Sequence, residues 1–290
     1  MVQKIALGTV QFGVQYGINN KNGILSHQEI DQILKLAVLS GINLIDTAPV
    51  YGDAEEKIGR HSDNGFKIVT KLPARQPGQK YSTQWLYDAV LGSTKRLNVE
   101  KIHGLLLHRP ADILQQDGEV FFSDLQTIKK EGLVDKIGIS IYEPSELEGL
   151  FKGYFFDIVQ APFNILDRRM IDSGWMERLH NMGIEFHARS VFLQGLLLTP
   201  DRNRPEKFKR WDPLWNKLSV WLKEKNITPL QACITYALSF KEISKVIVGI
   251  DSVDHLGKIL QASNSAVPLI PSEISTSDTD LLNPLSWLNF

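Results

Sequence analysis

Short apolar runs alternate with longer amphipathic segments along nearly the whole chain, and this alternation constrains the fold more than any other feature. The runs are strand-sized and too apolar to be exposed on one face, as expected of parallel strands buried on both faces. The segments between them place apolar residues three and four positions apart, which predicts helices. The eight predicted strands are residues 4–10, 42–47, 66–72, 102–108, 136–141, 157–163, 184–191 and 245–250.

Capping signals locate several of the predicted helices. Ser26 followed by Glu29 has the form of a capping box, and Gly41 ends that helix before the second strand. Thr228 followed by a proline predicts a helix that runs to about Ser239. The remaining helical patterns lie near residues 53–61, 82–97, 119–131, 144–150, 173–182, 210–225 and 252–263.

Eight strand–helix units without a linker predict an α/β fold, a single (β/α)8 TIM barrel formed by residues 1–290. A doubly wound sheet is the alternative, but the first strand is not followed by the glycine-rich phosphate turn of that fold. Two regions lie outside the pattern. A basic loop covers residues 196–210, and a C-terminal tail, residues 265–290, is expected to lie over the barrel mouth.

Composition excludes several classes of function. The 290 residues include 32 basic and 33 acidic side chains, so the chain lacks the basic excess of a nucleic-acid-binding protein. Its one cysteine, Cys233, can form neither an internal disulfide nor a cysteine-based zinc site. No apolar stretch approaches the roughly 18 residues of a membrane span, and no signal sequence is evident. We expect a cytoplasmic protein, and its oligomeric state stays open.

Polar side chains occur at the C-terminal ends of the predicted strands, where barrel enzymes carry their chemistry. Asp46 ends the second strand and is followed by Tyr51; Lys71 ends the third strand and His108 the fourth. Each residue alone has a structural interpretation, as a cap, a loop aromatic, a solvated charge or a turn histidine. Their occurrence together on three successive strand ends favours a functional site.

These four residues suit proton transfer. A phenol ordinarily keeps its proton at neutral pH, and an ammonium such as Lys71 beside Tyr51 would make that proton easier to donate. A buried lysine needs a counter-ion, for which Asp46 is the candidate. His108 can hydrogen-bond an oxygen placed between it and the tyrosine. Proton transfer at an oxygen pairs with hydride transfer at its carbon, which requires a bound cofactor because the chain has no redox group beyond a thiol.

The sequence resembles the aldo-keto reductase family over residues 4–263. The resemblance implies that Asp46, Tyr51, Lys71 and His108 form the catalytic tetrad, with Tyr51 as general acid in the NADPH-dependent reduction of an aldehyde or ketone. The Asp-x4-Tyr pair with the later lysine and histidine is its most specific element. The matching motifs are LGTVQFG (7–13), GINLIDTAPVYG (41–52), TKL (70–72), LLLHRP (105–110), KIGIS (136–140), VQAPFN (159–164) and RSVFLQGLL (189–197).

The same resemblance assigns residues to the cofactor. Ser140 and Gln160 match positions that hold the nicotinamide carboxamide. Arg189 replaces a tyrosine that many members stack on the nicotinamide, and a planar guanidinium can also stack. The further cofactor residues implied are Gly8, Thr9, Ser190, Phe192, Gln194, Gly195 and Gly249.

Recognition of the cofactor's 2′-phosphate departs from the family pattern. The arginine that many members place after the eighth strand is absent, and the nearby positions are His255 and Lys258. These two residues and the basic loop at 202–210 supply positive charge, so NADPH is predicted, with NADH as the alternative.

Substrate choice is the least constrained prediction. Tyr16 and Trp287 are the candidate substrate contacts, and they suit a sugar-like carbonyl or a small aromatic aldehyde equally. One alternative function is a catalytically weak, nucleotide-sensing regulatory protein of the same fold. Another is a metal-dependent hydrolase using His108 with carboxylates, but the strand ends lack the paired histidines of such sites, and no metal is predicted.

Overall fold

Eight parallel strands close into a barrel in the computed structural model of the chain, which describes residues 2–18, 20, 23–76, 78–266 and 269–288. Each strand pairs with the next one, and β8 pairs with β1 to close the barrel. The predicted fold class is therefore confirmed. The strands are β1 (Ile5–Gly8), β2 (Leu44–Asp46), β3 (Lys67–Leu72), β4 (Ile102–Leu107), β5 (Val134–Ser140), β6 (Ile158–Pro162), β7 (Glu185–Arg189) and β8 (Ile243–Gly249).

Helices connect the strands, and both predicted caps are present: Ser26 forms its capping box with Glu29, and Thr228 forms one with Gln231. Short 3₁₀ segments occur at Val2–Lys4, Ser62–Asn64, Pro110–Leu114, Leu193–Leu198, Asp201–Asn203, Glu206–Trp211 and Pro284–Leu288. The α-helices are α1 (Val10–Gly13), α2 (His27–Leu39), α3 (Ala54–Gly59), α4 (Thr83–Leu97), α5 (Gly118–Lys130), α6 (Glu146–Leu150), α7 (Arg169–Asp172), α8 (Trp175–Asn181), α9 (Asp212–Lys225), α10 (Pro229–Ser239), α11 (Val253–Ala262) and α12 (Thr279–Leu282).

The apolar core has two parts. A large cluster packs between the strands and the surrounding helices. A smaller one, here called the interior cluster, combines residues of six different strands, which can meet only inside the barrel. It therefore forms a floor beneath the C-terminal ends of the strands. Its members are Ala6, Leu44, Val69, Leu106, Ile158 and Ile247.

Within the described residues, no helix combines the length and the apolar character that a membrane crossing requires.

Candidate active site

A cavity of about 550 Å³ lies at the C-terminal ends of the strands. Side chains two positions apart on a strand face the same way, and Asp46, Lys71 and His108 each lie two residues beyond a member of the interior cluster. The polar residues thus form the layer above the apolar floor. The predicted site residues that line the cavity are Gly8, Thr9, Tyr16, Asp46, Tyr51, Lys71, His108, Ser140, Gln160, Arg189, Ser190, Phe192, Gln194, Gly195, Gly249, His255 and Lys258.

Lys71 is buried at the base of this cavity. Its Nζ donates to both carboxylate oxygens of Asp46, at 2.7 Å to Oδ1, and to the carbonyl oxygen of Thr47 at 2.9 Å. Burial lowers the pKa of Lys71, but the Asp46 carboxylate and then Tyr51 outweigh it, so the pKa is raised overall. The lysine therefore carries its charge at neutral pH.

Asp46 is also linked to the two residues predicted to hold the nicotinamide carboxamide. The side-chain amide of Gln160 donates to Asp46 Oδ1 at 2.9 Å, and Ser140 Oγ donates to Gln160 Oε1 at 3.1 Å. A hydroxyl oxygen can still accept, and the amide nitrogen has a second hydrogen. Ser140 and Gln160 thus brace the carboxylate while keeping hydrogen-bonding capacity for a ligand.

A close contact between α1 and the loop after β2 fixes the position of Tyr51. Gly52 has a φ of +61°, and a Cβ there would collide with the carbonyl oxygen of Gly13. A Cβ at Gly13 would in turn collide with the carbonyl oxygen of Tyr51. Lys57 donates to the carbonyl oxygen of Phe12 at 2.7 Å. The two glycines therefore allow the loop to hold Tyr51 beside Lys71.

Tyr51 and His108 meet edge to face, with ring centroids 6.3 Å apart and planes at 90°. Lys71 Nζ lies 5.2 Å from the centroid of the Tyr51 ring. Burial, assisted by the positive charge of Lys71, lowers the pKa of His108 to about 4. At neutral pH His108 is therefore uncharged, with one ring nitrogen as donor and the other as acceptor.

Tyr16 brings a second phenol to the same cavity. Burial of its hydroxyl raises the pKa of Tyr16 to about 12, against the opposing effect of the Arg189 charge, and the hydroxyl hydrogen-bonds Gln194. The side chain as a whole keeps 37% of its surface exposed. Tyr16 is therefore a neutral hydrogen-bonding group that lines the cavity and reaches solvent.

The segment after β7 curves along the cavity. Ser190, Leu193 and Gln194 have φ values of 57°, 47° and 52°, and Gly195 has 89°. Such values are uncommon for residues other than glycine and mark a backbone that its surroundings hold in place. Asn164 contributes by donating from Nδ2 to the Ser190 carbonyl oxygen at 3.1 Å.

The residues between β8 and the first turns of α11 line another part of the cavity, called the β8–α11 end below. Ser252 caps α11 by accepting from the backbone N–H of His255. The His255 ring lies 2.8 Å from Asp251, a contact that lowers the pKa of this carboxyl, and Lys258 Nζ lies 2.6 Å from Asp254. Both bases at this end are therefore paired with a carboxylate.

Sequence comparison assigns the family. Residues 4–279 match the model of the Aldo/keto reductase family. The chain belongs to this family. Curated relatives of this chain carry oxidoreductase names.

Two curated relatives and one solved structure illustrate the similarity. The NADH-specific methylglyoxal reductase of Escherichia coli K12 is 28% identical over 224 residues, which span 68% of this chain but only 65% of that protein. The L-glyceraldehyde 3-phosphate reductase of Escherichia coli O157:H7 is 23% identical over 300 residues, covering 90% of this chain and 85% of its own length. An aldo-keto reductase from Bacillus halodurans in its holo form shares the fold, with a TM-score of 0.71, 21% identity and coverage of 93% and 89%.

Trp287 does not line the cavity, in contrast to the prediction from the sequence. Its side chain is buried, donates from Nε1 to the Leu281 carbonyl oxygen at 3.0 Å, and packs edge-on against Phe208. A tryptophan in this position serves packing, so its assignment as a substrate contact is corrected. Pro284 and Leu285 of the same tail line the cavity instead.

The basic loop at 202–210 does not line the cavity. Lys207 Nζ donates to the Trp287 carbonyl oxygen at 2.7 Å, and Arg210 contacts Asp280 at 2.5 Å. These cations hold the tail against the loop. They are not placed to supply positive charge to a cofactor in this cavity.

Several cavity residues are not among the predicted ones. Asp251 and Asp254 each precede a predicted base by four positions, a spacing that signals an ion pair on a helix. Tyr142 and Gln11 also line the cavity. Gln11 lies inside the matching motif of residues 7–13, of which only Gly8 and Thr9 are assigned to the site, and Tyr142 lies outside every matching motif. Among the residues that the structure describes, no group of three or more His, Cys, Asp or Glu side chains is placed to hold a metal ion.

Proposed function

We propose that this chain reduces aldehydes or ketones to alcohols with a nicotinamide dinucleotide, and that Tyr51 donates the proton. The observation that carries the proposal is the buried Lys71–Asp46 pair beneath the Tyr51 and His108 rings, both of which line the cavity. A buried charged pair beside two proton-carrying groups is typical of acid–base sites. Such an arrangement suits proton donation to a carbonyl oxygen.

The roles of the four residues follow from their environment. Tyr51 gives its proton to the carbonyl oxygen as negative charge develops there. Lys71 stays positive and stabilises the phenolate that remains, while Asp46 holds the ammonium in place. His108, neutral at working pH, offers a ring N–H to the same oxygen and orients it toward the phenol.

The cavity suits a nicotinamide cofactor, which when bound would supply the hydride. A volume of about 550 Å³ falls within the roughly 300–1,000 Å³ of small-molecule and cofactor sites. Gln11 lines the cavity, and the carbonyl oxygen of its side chain is buried without a hydrogen-bond donor, so it has capacity to accept from a ligand N–H or O–H. Ser140 and Gln160 would hold the carboxamide, and the backbone of residues 190–195 would contact the diphosphate.

We further propose that NADH is accepted at least as readily as NADPH. The predicted NADPH preference relies on His255, Lys258 and the basic residues at 202–210, but the two bases are paired with carboxylates and residues 202–210 do not line the cavity. A 2′-phosphate would meet no net positive charge there. The relative named as an NADH-specific methylglyoxal reductase agrees with this cofactor choice.

A Tyr51→Phe variant tests the reaction. We expect methylglyoxal reduction to fall by about 10²- to 10⁴-fold, the usual contribution of a general acid. NADH affinity should change by less than about twofold, because the phenol acts only in the chemical step. Tyr87→Phe, which removes a hydroxyl bonded to Glu131 outside the cavity, is the matched control.

Turnover that survives Tyr51→Phe would rule out Tyr51 as the proton donor. Tight nucleotide binding by the wild-type chain without turnover of any carbonyl would instead favour the nucleotide-sensing alternative. Assaying binding and turnover on the same samples separates these two results.

A further inference from the structure

The basic side chains that line the cavity differ in whether a carboxylate lies beside them. Lys71 is paired with Asp46, His255 with Asp251, and Lys258 with Asp254. Arg189 lines the same cavity, but no carboxylate lies within ion-pair distance of its guanidinium among the residues that the structure describes. Within the described part of the chain, the cavity therefore contains an arginine charge that no carboxylate pairs.

Arg189 is nevertheless held firmly. One terminal nitrogen donates to the Ile141 carbonyl oxygen at 2.9 Å, and the other contacts Ser190 Oγ at 3.3 Å. The guanidinium carbon lies 4.5 Å from the centroid of the Tyr142 ring. These contacts use two of the five N–H groups of an arginine, and Nε is buried without an acceptor. A fixed guanidinium with unused donors is suited to bind an oxyanion.

The charge of Arg189 acts at the catalytic end of the cavity. It contributes to the lowered pKa of His108, after burial and Lys71, and it opposes the rise that burial causes in the pKa of Tyr16. The guanidinium is thus close enough to both side chains to influence protons at the position where a carbonyl group would react.

Near His108 and Tyr16, where the Arg189 charge is felt, a substrate anion matches this charge better than the nicotinamide ring does. The reduced nicotinamide ring is neutral and the oxidised ring is cationic, so neither form compensates a guanidinium. A carboxylate or phosphate on the substrate would compensate it and would accept its unused N–H groups in charge-assisted hydrogen bonds. The neutral hydroxyl of Tyr16 also lines the cavity, close enough to Arg189 to be influenced by its charge, and it can donate a hydrogen bond to such an anion.

We propose that Arg189 binds an anionic group of the substrate, so that the preferred substrates are aldehydes or ketones that carry a carboxylate or a phosphate. This proposal rests on the reductase function proposed above. Arg189 is a binding residue in it: it places the substrate so that the carbonyl group reaches Tyr51 and His108.

Matched substrate pairs test the proposal. Succinic semialdehyde and butanal differ by a carboxylate, and glyceraldehyde 3-phosphate and glyceraldehyde differ by a phosphate, so the two pairs also distinguish the two anions. We expect kcat/KM of the wild-type chain to favour the charged member of at least one pair by about 10- to 100-fold, as charge-assisted hydrogen bonds imply. The preference should shrink as salt rises.

Variants of the arginine complete the test. Arg189→Gln should abolish the preference mainly by weakening reduction of the charged member, and Arg189→Lys should retain part of it. Arg178→Gln, an exposed arginine on α8 that does not line the cavity, is the matched control and should keep the full preference. NADH affinity, measured by titration without substrate, should stay within about twofold of wild type in all three variants.

Several results would overturn the proposal. Equal kcat/KM for both members of both pairs in the wild-type chain would exclude an anion site, even if Arg189→Gln fails to fold. An equal loss for charged and neutral substrates, together with weaker NADH binding, would assign Arg189 to the cofactor. Absence of any carbonyl reduction by the wild-type chain would remove the proposed function itself, and this proposal with it.

Discussion

Ion pairs occur at both ends of the cavity, but the two ends are built differently. The side chains of Lys71 and Asp46 are 2% and 3% exposed, whereas those of Lys258 and Asp254 are 62% and 73% exposed. The buried pair is surrounded by strand residues, and its low exposure leaves water little access to replace a lost partner. The exposed pair can separate and let water or a ligand take either charge. The fold therefore fixes the end of the cavity that contains Lys71 and Asp46, while the β8–α11 end can adapt.

Removing one charge at each end should give the largest difference between the two ends, measured as the free energy of unfolding. Lys71→Met leaves Asp46 buried without its counter-ion, and we expect it to lower the free energy of unfolding by about 3–5 kcal/mol. Lys258→Met should lower it by less than about 1 kcal/mol, because the pair is exposed. Urea unfolding of both variants measures the difference.

The double variant Asp46→Asn/Lys71→Met keeps this test informative if the single variant unfolds. It removes both charges, so it should be more stable than Lys71→Met alone. Losses of similar size at the two ends would mean that burial does not distinguish the pairs.

The pH dependence of stability should show the burial of His108. Its pKa is about 4 in the folded chain, against about 6.5 for an unperturbed histidine. The unfolded chain binds more protons between these values, so stability should increase as the pH rises from about 4 to about 6.5, by up to about 3 kcal/mol, and gain nothing further above that range.

A His108→Asn variant isolates this contribution. Its stability should rise less steeply with pH over the same window, as measured by urea unfolding at a series of pH values. A slope identical to that of the wild-type chain would show that His108 does not titrate with a lowered pKa.

A charge change at the β8–α11 end should have the smallest effect of these predictions, and it should alter cofactor affinity. Asp254→Asn frees Lys258 to meet a 2′-phosphate, so we expect NADPH binding to tighten by roughly 2- to 10-fold, with a salt-sensitive advantage. NADH binding should stay nearly unchanged. Fluorescence titration at two salt concentrations checks this, and an equal change for both cofactors would argue against a role of this end in cofactor choice.

The sequence predicts that Asp46, Lys71 and His108 lie together in the cavity, because the signals for these positions are local. Short continuous apolar runs place the strands within a few residues of their observed bounds, and the rule that chemistry lies at strand C-termini then selects Asp46, Lys71 and His108. Because these strands are buried on both faces, each one is a continuous apolar run that can be recognised in a single sequence. The capping boxes at Ser26 and Thr228 are local in the same way.

Features that depend on contacts between distant segments are not predictable in this way. The contact of Gly13 with the Tyr51 loop joins segments about forty residues apart, and neither segment contains a signal that predicts contact with the other. Trp287 shows the same limit, since an aromatic residue in a tail can cover a ligand or fill a gap beside Phe208. Its environment, not its residue type, decides between the two.

Charge at the β8–α11 end shows a different limit. The bases His255 and Lys258 are recognised by their match to family positions, but their effect depends on Asp251 and Asp254. The four-residue spacing indicates the pairs, while only the structure shows that all four side chains line one cavity. Counting bases alone therefore overstates the positive charge available to a 2′-phosphate.

Deuterium transfer from a nicotinamide labelled at its hydride-donating carbon tests carbonyl reduction at this cavity most directly. Mixing the wild-type chain with labelled NADH and methylglyoxal in a single turnover should place deuterium on the former carbonyl carbon, as detected by mass spectrometry. Tyr51→Phe, with NADH bound equally well, should form almost none of this product in the same time. Unlabelled product from the wild-type chain, or equal labelling by Tyr51→Phe, would contradict hydride transfer coupled to a proton from Tyr51.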